Sequence, residues 1–188
     1  VRPKDEWQAI SLSYTSGTTG NPKGVVYHHR GSYLMSMGSV SAWNMPNRLT
    51  YLYTVPMFHC NGWGYPWTLA MLHARVVFVR NIIVKDIFDL IDKYEVTHFG
   101  GAPIVLNIIA NAPPEDQKLL KNKIYVMTAG APPPSSILQK MESVGFEVMH
   151  VYGLTETYGH VTHCAWNEDW NNLSEEDRFE RKSFQGVR

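Results

Sequence analysis

The residues with most chemistry to offer stand together near the start of the chain. Tyr14-Thr15-Ser16-Gly17-Thr18-Thr19-Gly20-Asn21-Pro22-Lys23-Gly24 holds three glycines, four aliphatic hydroxyls and a lysine. Glycine lets a backbone turn sharply and approach a ligand closely, because it has no Cβ to clash. Successive N–H groups in such a turn form a concave anion site, to which the hydroxyls add donors and Lys23 a positive charge. A surface turn would explain the glycines and threonines alone, whereas a phosphate-binding loop explains the whole set. It is not the Walker type, which needs Gly-Lys-Ser/Thr opening a helix. Here Lys23 lies between Pro22, which has no N–H, and Gly24, a poor helix former, so the segment is expected to stay a loop.

Stepping outward, Ile10 to Tyr14 alternates apolar and hydroxyl residues and reads as a strand feeding the loop, with Gly24 to Tyr27 as a strand leaving it. His28-His29-Arg30 reads as a polar turn before a helix, with a position near the phosphates as the alternative. Ser32 to Trp43 carries a weak helical pattern at Tyr33, Met37 and Val40. Leu49 to Val55 then reads as a buried strand ended by Pro56, Trp63 to His73 as an apolar helix, and Ala74 to Val79 as a strand. Ile87, Leu90, Ile91 and Tyr94 fall on one face of a helix. Val96 to Phe99 is a short strand, and Pro103 suits the first turn of a helix that Pro113-Pro114 stops. Ile124 to Thr128 and Glu147 to Val151 read as strands flanking a helix marked by Ile137, Leu138, Met141 and Val144.

Strands alternating with helices at this spacing predict an α/β fold, a mostly parallel sheet flanked by helices. In such sheets ligands bind outside the carboxyl ends of the strands. Three polar clusters follow expected strands: the glycine loop, Gly130-Ala131-Pro132-Pro133-Pro134, and Tyr152-Gly153-Leu154-Thr155-Glu156. They are therefore expected to share one site. Asn167 to Arg188 is strongly charged, and Ser174 followed by Glu175, Glu176 and Asp177 reads as the N-cap and first turn of a solvated surface helix.

Composition sets bounds. The 188 residues are 44% hydrophobic with 17 basic and 17 acidic side chains, a globular balance that offers no polybasic argument for nucleic acid or membrane. No apolar run approaches the roughly 20 residues of a membrane span. Cys60 and Cys164 are the only cysteines, too far apart for a CxxC pair, which argues against a disulfide framework or a zinc site. A reducing, cytoplasmic compartment is the default, with a peroxisome as the eukaryotic variant.

The glycine loop resembles the AMP-binding signature of the adenylate-forming enzymes, a superfamily of acyl-CoA synthetases, adenylation domains and luciferases. Tyr152 to Glu156 is similar to that family's Tyr-Gly-x-Thr-Glu motif, and Gly130-Ala131-Pro132 to its Gly-Ala/Gly-Pro segment. Pro56-Met57-Phe58-His59-Cys60-Asn61-Gly62-Trp63 is similar to the stretch that sets a histidine and an aromatic beside the acyl group. The resemblance spans nearly the whole chain, with all four motifs in order. Its wording is that of a subgroup holding short- and medium-chain acyl-CoA synthetases, among them plant acyl-activating enzymes and bacterial methylthioalkanoate-CoA ligases.

The resemblance implies a part of the large N-terminal domain of an adenylate-forming enzyme, using ATP, Mg²⁺ and a small carboxylic acid, with CoA as co-substrate. Thr15, Ser16, Gly17, Thr18, Thr19, Gly20 and Lys23 are expected to take the phosphates. Tyr152 and Gly153 are expected at the adenine, with Gly130, Ala131 and Pro132 lining the adenine and acyl pockets. Thr155 is expected to contact the α-phosphate and Glu156 to hold Mg²⁺, so that Lys23, Thr155 and Glu156 form the catalytic set. His59 and Trp63 are expected on the substrate side, although Trp63 and Trp67 also suit plain core.

The family's later Thr-Gly-Asp motif, its hinge and its mobile C-terminal domain with a catalytic lysine do not occur in these residues. Residues 1–188 are thus expected to be a central piece of the N-terminal domain, inactive alone. An adenylating enzyme with a carrier-protein acceptor, and a nucleotide-binding module without catalysis, are the alternatives.

Overall fold

The computed structural model describes residues 2–15 and 20–186. Its centre is a sheet of six strands: β3 (Thr50–Tyr53), β4 (Arg75–Phe78), β5 (His98–Gly101), β6 (Ile124–Thr128), β7 (Phe146–Leu154) and β8 (Gly159–His163). They lie in the order β4-β3-β5-β6-β7-β8. The first five run parallel, and β8 returns antiparallel to β7. Parallel strands are covered on both faces, which explains why Thr50–Tyr53 and His98–Gly101 are buried along their whole length.

Each face has its own core. Leu52, Phe99, Val126 and Val148 point to one side, where they meet α3 (Val84–Tyr94), α4 (Pro103–Ala110) and α5 (Ser135–Val144) through Ile87, Leu106, Ile109, Leu138 and Met141. Tyr51, Tyr53 and Met127 point to the other, against Trp43 and the Tyr65 and Leu69 of α2 (Tyr65–Met71). Ile87, Phe88 and Phe99 have no exposed surface, and each such side chain stabilises the fold by roughly 1.5–3 kcal/mol. The expected face of α3 holds, with Ile87 and Ile91 buried and Leu90 and Tyr94 partly so.

The chain moves from β3 outward to β4, then crosses back to β5 and proceeds the other way to β6 and β7. The order therefore reverses between β3 and β5. At such a switch point the segments leaving the two strands diverge and open a crevice above their carboxyl ends.

Several expectations need correction. The strands around the glycine loop, β1 (Ala9–Thr15) and β2 (Lys23–His28), are not part of the main sheet but a separate antiparallel pair. A tight return can join antiparallel strands, whereas a parallel pair needs a long crossover. In α1 (His29–Ala42) Tyr33 and Met37 are exposed, and the buried stripe is Ser32, Ser36 and Ser39. Ser36 and Ser39 turn their hydroxyls onto the carbonyls of Ser32 and Met35, which satisfies these two donors within the helix, whereas the buried Ser32 hydroxyl has no partner. The apolar helix begins at Tyr65 rather than Trp63. Lastly, β7 runs on to Leu154, so Tyr152 and Gly153 belong to a strand rather than to a loop.

The C-terminal helix α6 (Glu175–Ser183) is capped as expected, Ser174 Oγ accepting from the Asp177 N–H at 3.1 Å. It is more than a solvated surface element. Phe179 is buried in the main core, and Lys182 pairs with Glu142 of α5.

Candidate functional site

The carboxyl ends of β3, β6 and β7 carry three of the motif segments. Thr128 is paired with Gly101 on one side and His150 on the other. Two residues further on, β6 has become the Ala129-Gly130-Ala131-Pro132 turn, while β7 is still extended at Tyr152. Gly130 thus leaves the sheet at the level of Tyr152, which stays in β7 paired with Thr162 of β8. Gly130 has φ 97°, a value that side chains resist, and a Cβ there would meet nothing within 4 Å. Ala131 and Pro132 are exposed, and Tyr152 is 38% exposed, so its ring is available to a ligand.

Beyond Tyr152, a 3-10 turn at Thr155–Thr157 carries the two motif residues. Glu156 is exposed and Thr155 half-buried. The chain then reverses through Tyr158, at φ 65°, into β8. Gly153 and Gly159 pass so closely that a Cβ on Gly153 would lie 1.9 Å from the Gly159 carbonyl oxygen. In β8, burial and then the neighbouring His163 push the His160 imidazole down to about 4.

The separate β1–β2 pair is locked onto this turn. Tyr27, 1% exposed, donates its hydroxyl to the Thr155 carbonyl at 2.7 Å. Its ring stacks on Tyr158 at 4.2 Å. The His28 N–H donates to the Tyr158 hydroxyl at 3.1 Å, and His28 Nδ1 accepts from the Gly31 N–H at 3.0 Å. His28 is therefore the N-cap of α1, and the expected polar turn is absent, since β2 ends at His28 and the helix opens at His29. Burial, and next the adjacent Cys60, push the Tyr27 phenol far above its ordinary value, so it stays a donor. These bonds anchor the open end of the hairpin to the Thr155 turn, and at the opposite end of the hairpin Thr15 pairs with Lys23. Lys23 and Gly20 are exposed there, and a Cβ on Gly20 would meet nothing within 4 Å. Ser16, Gly17, Thr18 and Thr19 lie outside the described residues.

The turn after β3 completes the rim. Cys60, Asn61, Gly62, Trp63 and Gly64 have φ of 43°, 46°, 63°, 57° and 77°, a continuous left-handed stretch. Each non-glycine residue there costs about 1–2 kcal/mol, with asparagine the most tolerant. The surroundings hold it: Tyr53 donates to the Gly62 carbonyl at 2.8 Å, and Ser11 Oγ donates to Asn61 Oδ1 at 2.5 Å. Trp63 lies against Gly100, where a Cβ would come within 3.2 Å of its ring. Trp63 thus packs on the second core while facing the β3–β5 crevice, and Trp67 is half-buried in α2. His59 is exposed beside Phe58, at 4.6 Å between rings. Cys60 Sγ comes within 3.2 Å of Thr155 Oγ1, so the acyl-side motif and the Tyr-Gly-x-Thr-Glu motif touch.

Sequence reasoning missed Tyr27, Tyr158, Cys60 and Gly31, the residues that join the motifs. Nothing in their spacing reveals them, because each acts across more than 90 residues or through a neighbour's ring. Two surface hollows of about 600 and 270 Å³ are lined by Cys164 to Trp170 with Gly186, and by α5 and α6; neither includes a motif residue. Among the described residues no group of three or more His, Cys, Asp or Glu could hold a metal. Glu156 is nevertheless a suitable carboxylate for a hard cation that takes its other ligands from phosphate and water. Among the described residues no helix is long and apolar enough to cross a membrane.

A parallel α/β sheet whose strand order switches between β3 and β5, with an open turn, a half-exposed tyrosine and an exposed carboxylate along its carboxyl edge, has the layout of a ligand-binding α/β domain. The particular family follows from comparison: residues 1–186 match the AMP-binding enzyme family, and the chain belongs to it. A peroxisomal acetate/butyrate–CoA ligase of Arabidopsis thaliana is 52% identical over 187 residues, 99% of this chain and 33% of that protein. The inhibitor-bound N-terminal domain of FACL13 from Mycobacterium tuberculosis superposes with a TM-score of 0.80 at 28% identity, over 95% of this chain and 42% of that one. O-succinylbenzoate coenzyme A synthetase from Bacillus subtilis, in complex with ATP and a magnesium ion, gives 0.74 at 25% identity, over 88% and 34%. The chain spans about a third of the length of the curated relatives it matches.

Proposed function

We propose that the protein containing this chain is an ATP-dependent acyl-CoA ligase for a short- or medium-chain carboxylic acid. The carboxylate attacks the α-phosphorus of ATP; a P–O bond forms, the bond to the bridging oxygen breaks, and pyrophosphate leaves. The CoA sulfur, its thiol proton lost to solvent, then attacks the acyl carbon of the acyl-AMP, and AMP departs with the electron pair of the broken C–O bond. Such chemistry rests on positioning and charge stabilisation rather than on a protein nucleophile.

Lys23 and the amides of the glycine loop receive the β- and γ-phosphates. Tyr152 and Gly153 face the adenine across from Gly130, Ala131 and Pro132. The Thr155 hydroxyl donates to an α-phosphate oxygen. His59 and Trp63 border the acid. Glu156 would hold Mg²⁺, which neutralises phosphate charge when bound. The observation that carries this assignment is the contact of Cys60 with Thr155 at 3.2 Å, since it brings the acid-side turn against the phosphate-side motif.

Residues 1–188 form part of the N-terminal domain in this proposal. The ribose-binding aspartate, the hinge and the C-terminal domain with its lysine lie elsewhere in the protein. The reach of the chain along its relatives, about a third, supports that division. An acid between acetate and butyrate in size is favoured by the Arabidopsis ligase at 52% identity, and cytosol or peroxisome suits two cysteines that are both free thiols.

The test is ATP–pyrophosphate exchange by the full-length protein with acids from acetate to octanoate. Glu156→Gln is expected to lower Mg²⁺-dependent exchange roughly a hundredfold or more, the scale of losing one transition-state contact. Full exchange by Glu156→Gln refutes the metal assignment, and near-normal turnover by residues 1–188 alone refutes the division into domains.

A further inference from the structure

We propose that Tyr27 and Cys60 are positioning residues for Thr155, coupling the glycine-loop hairpin and the left-handed turn after β3 to one catalytic hydroxyl. The proposal rests on the adenylation reading above.

Thr155 is gripped at both ends. Its carbonyl accepts from the Tyr27 hydroxyl at 2.7 Å, and its own Oγ1 lies 3.2 Å from Cys60 Sγ. Tyr27 is buried and stacked on Tyr158 at 4.2 Å, so the donor has little freedom to turn away. Cys60 is fixed at φ 43° by a turn that Tyr53 and Ser11 brace through Gly62 and Asn61.

The direction of the Cys60–Thr155 bond matters chemically. A hydroxyl has one proton to give and two lone pairs to receive with. When the Cys60 S–H donates into Oγ1, the Thr155 proton is free for a phosphate oxygen. When Thr155 donates to sulfur instead, that proton is occupied. An anionic phosphate selects the first arrangement, because a charge-assisted bond is the stronger one. Cys60 therefore orients the hydroxyl without touching the nucleotide. Because Cys60 sits on the acid-side turn, movement of that turn repositions the phosphate donor.

The test uses the full-length protein. Tyr27→Phe keeps the ring and removes the donor; Cys60→Ala removes the thiol; Cys60→Ser restores a donor. In pyrophosphate exchange, Tyr27→Phe and Cys60→Ala are each expected to lower kcat roughly three- to tenfold, the value of one hydrogen bond, with KM for the acid little changed. Cys60→Ser is expected to recover most of the loss. Equal losses in Cys60→Ser and Cys60→Ala, or a fall in Tm without a fall in kcat, overturns the proposal. A second readout stands apart from activity. Read at the Cys60 peptide by mass spectrometry, ATP is expected to slow alkylation of Cys60 severalfold, since phosphate binding orders the Thr155 bond. Should the parent protein show no exchange with any acid, the ligase reading falls. The alkylation rate still decides the positioning claim, and no protection by ATP overturns it.

Discussion

Two glycines of one helix make opposite predictions. In α1, a Cβ on Gly31 would lie 2.3 Å from Cζ and 2.8 Å from the hydroxyl of Tyr158, whereas a Cβ on Gly38 would meet nothing within 4 Å. Alanine at Gly31 must therefore expel the Tyr158 ring. That forfeits the stack on Tyr27, worth about 0.5–1.5 kcal/mol, and the His28 N–H bond to the Tyr158 hydroxyl, worth about 1 kcal/mol. The gain in helix propensity is at most about 1 kcal/mol, and less in the first turn where Gly31 sits. The balance is a destabilisation of roughly 1–2 kcal/mol once displaced rotamers are included. Gly38→Ala, in the exposed middle of the same helix, should stabilise by up to about 1 kcal/mol. For a chain of this size the two variants should differ in Tm by several degrees, at about 2–4 °C per kcal/mol. Denaturant unfolding measures both, and Gly31→Ala in a Tyr158→Ala background should lose most of its penalty. If Gly31→Ala proves as stable as Gly38→Ala, the docking of Tyr158 against α1 is wrong.

Two further outcomes follow from the structure. Ser174→Ala removes the hydroxyl that accepts from the Asp177 N–H and should cost about 1 kcal/mol, read from the urea midpoint. His98 is 2% exposed between Trp43 and Tyr125, and burial pushes its imidazole from 6.5 down to about 4. Between those values the unfolded chain binds the proton and the folded one does not, so stability rises with pH. The contribution, at most about 3 kcal/mol, is fully present above pH 6.5 and is lost as pH falls toward 4. Unfolding midpoints at stepped pH should show that slope, and a His98→Phe variant should show less of it.

Much of the fold was legible because it rests on local rules. Alternating strands and helices, Pro103 opening α4, and Ser174 capping α6 all act within a turn or two. The face of α1 was not legible, because hydrophobicity marks Tyr33 and Met37 while close packing against α2 selects the small serines. Trp63 misled for a related reason. Its apolar ring suits a helix, yet contact with Gly100 and the Tyr53 bond to Gly62 hold it in a left-handed turn that propensity disfavours.

The sequence by itself determined the chemistry available, namely a lysine and amides for phosphate, a tyrosine, a threonine and a carboxylate, each in a motif short enough to read. Only the tertiary structure decided how these parts meet. The glycine loop joins the strands of a separate hairpin, and that hairpin meets the Thr155 turn because Tyr27 reaches a carbonyl 128 residues away. Cys60 meets Thr155 across 95 residues because parallel strands bring their carboxyl ends to one edge and β3 and β5 diverge there. Spacing along a chain carries no record of such contacts, since they arise from sheet order and from side chains fitting one another in space.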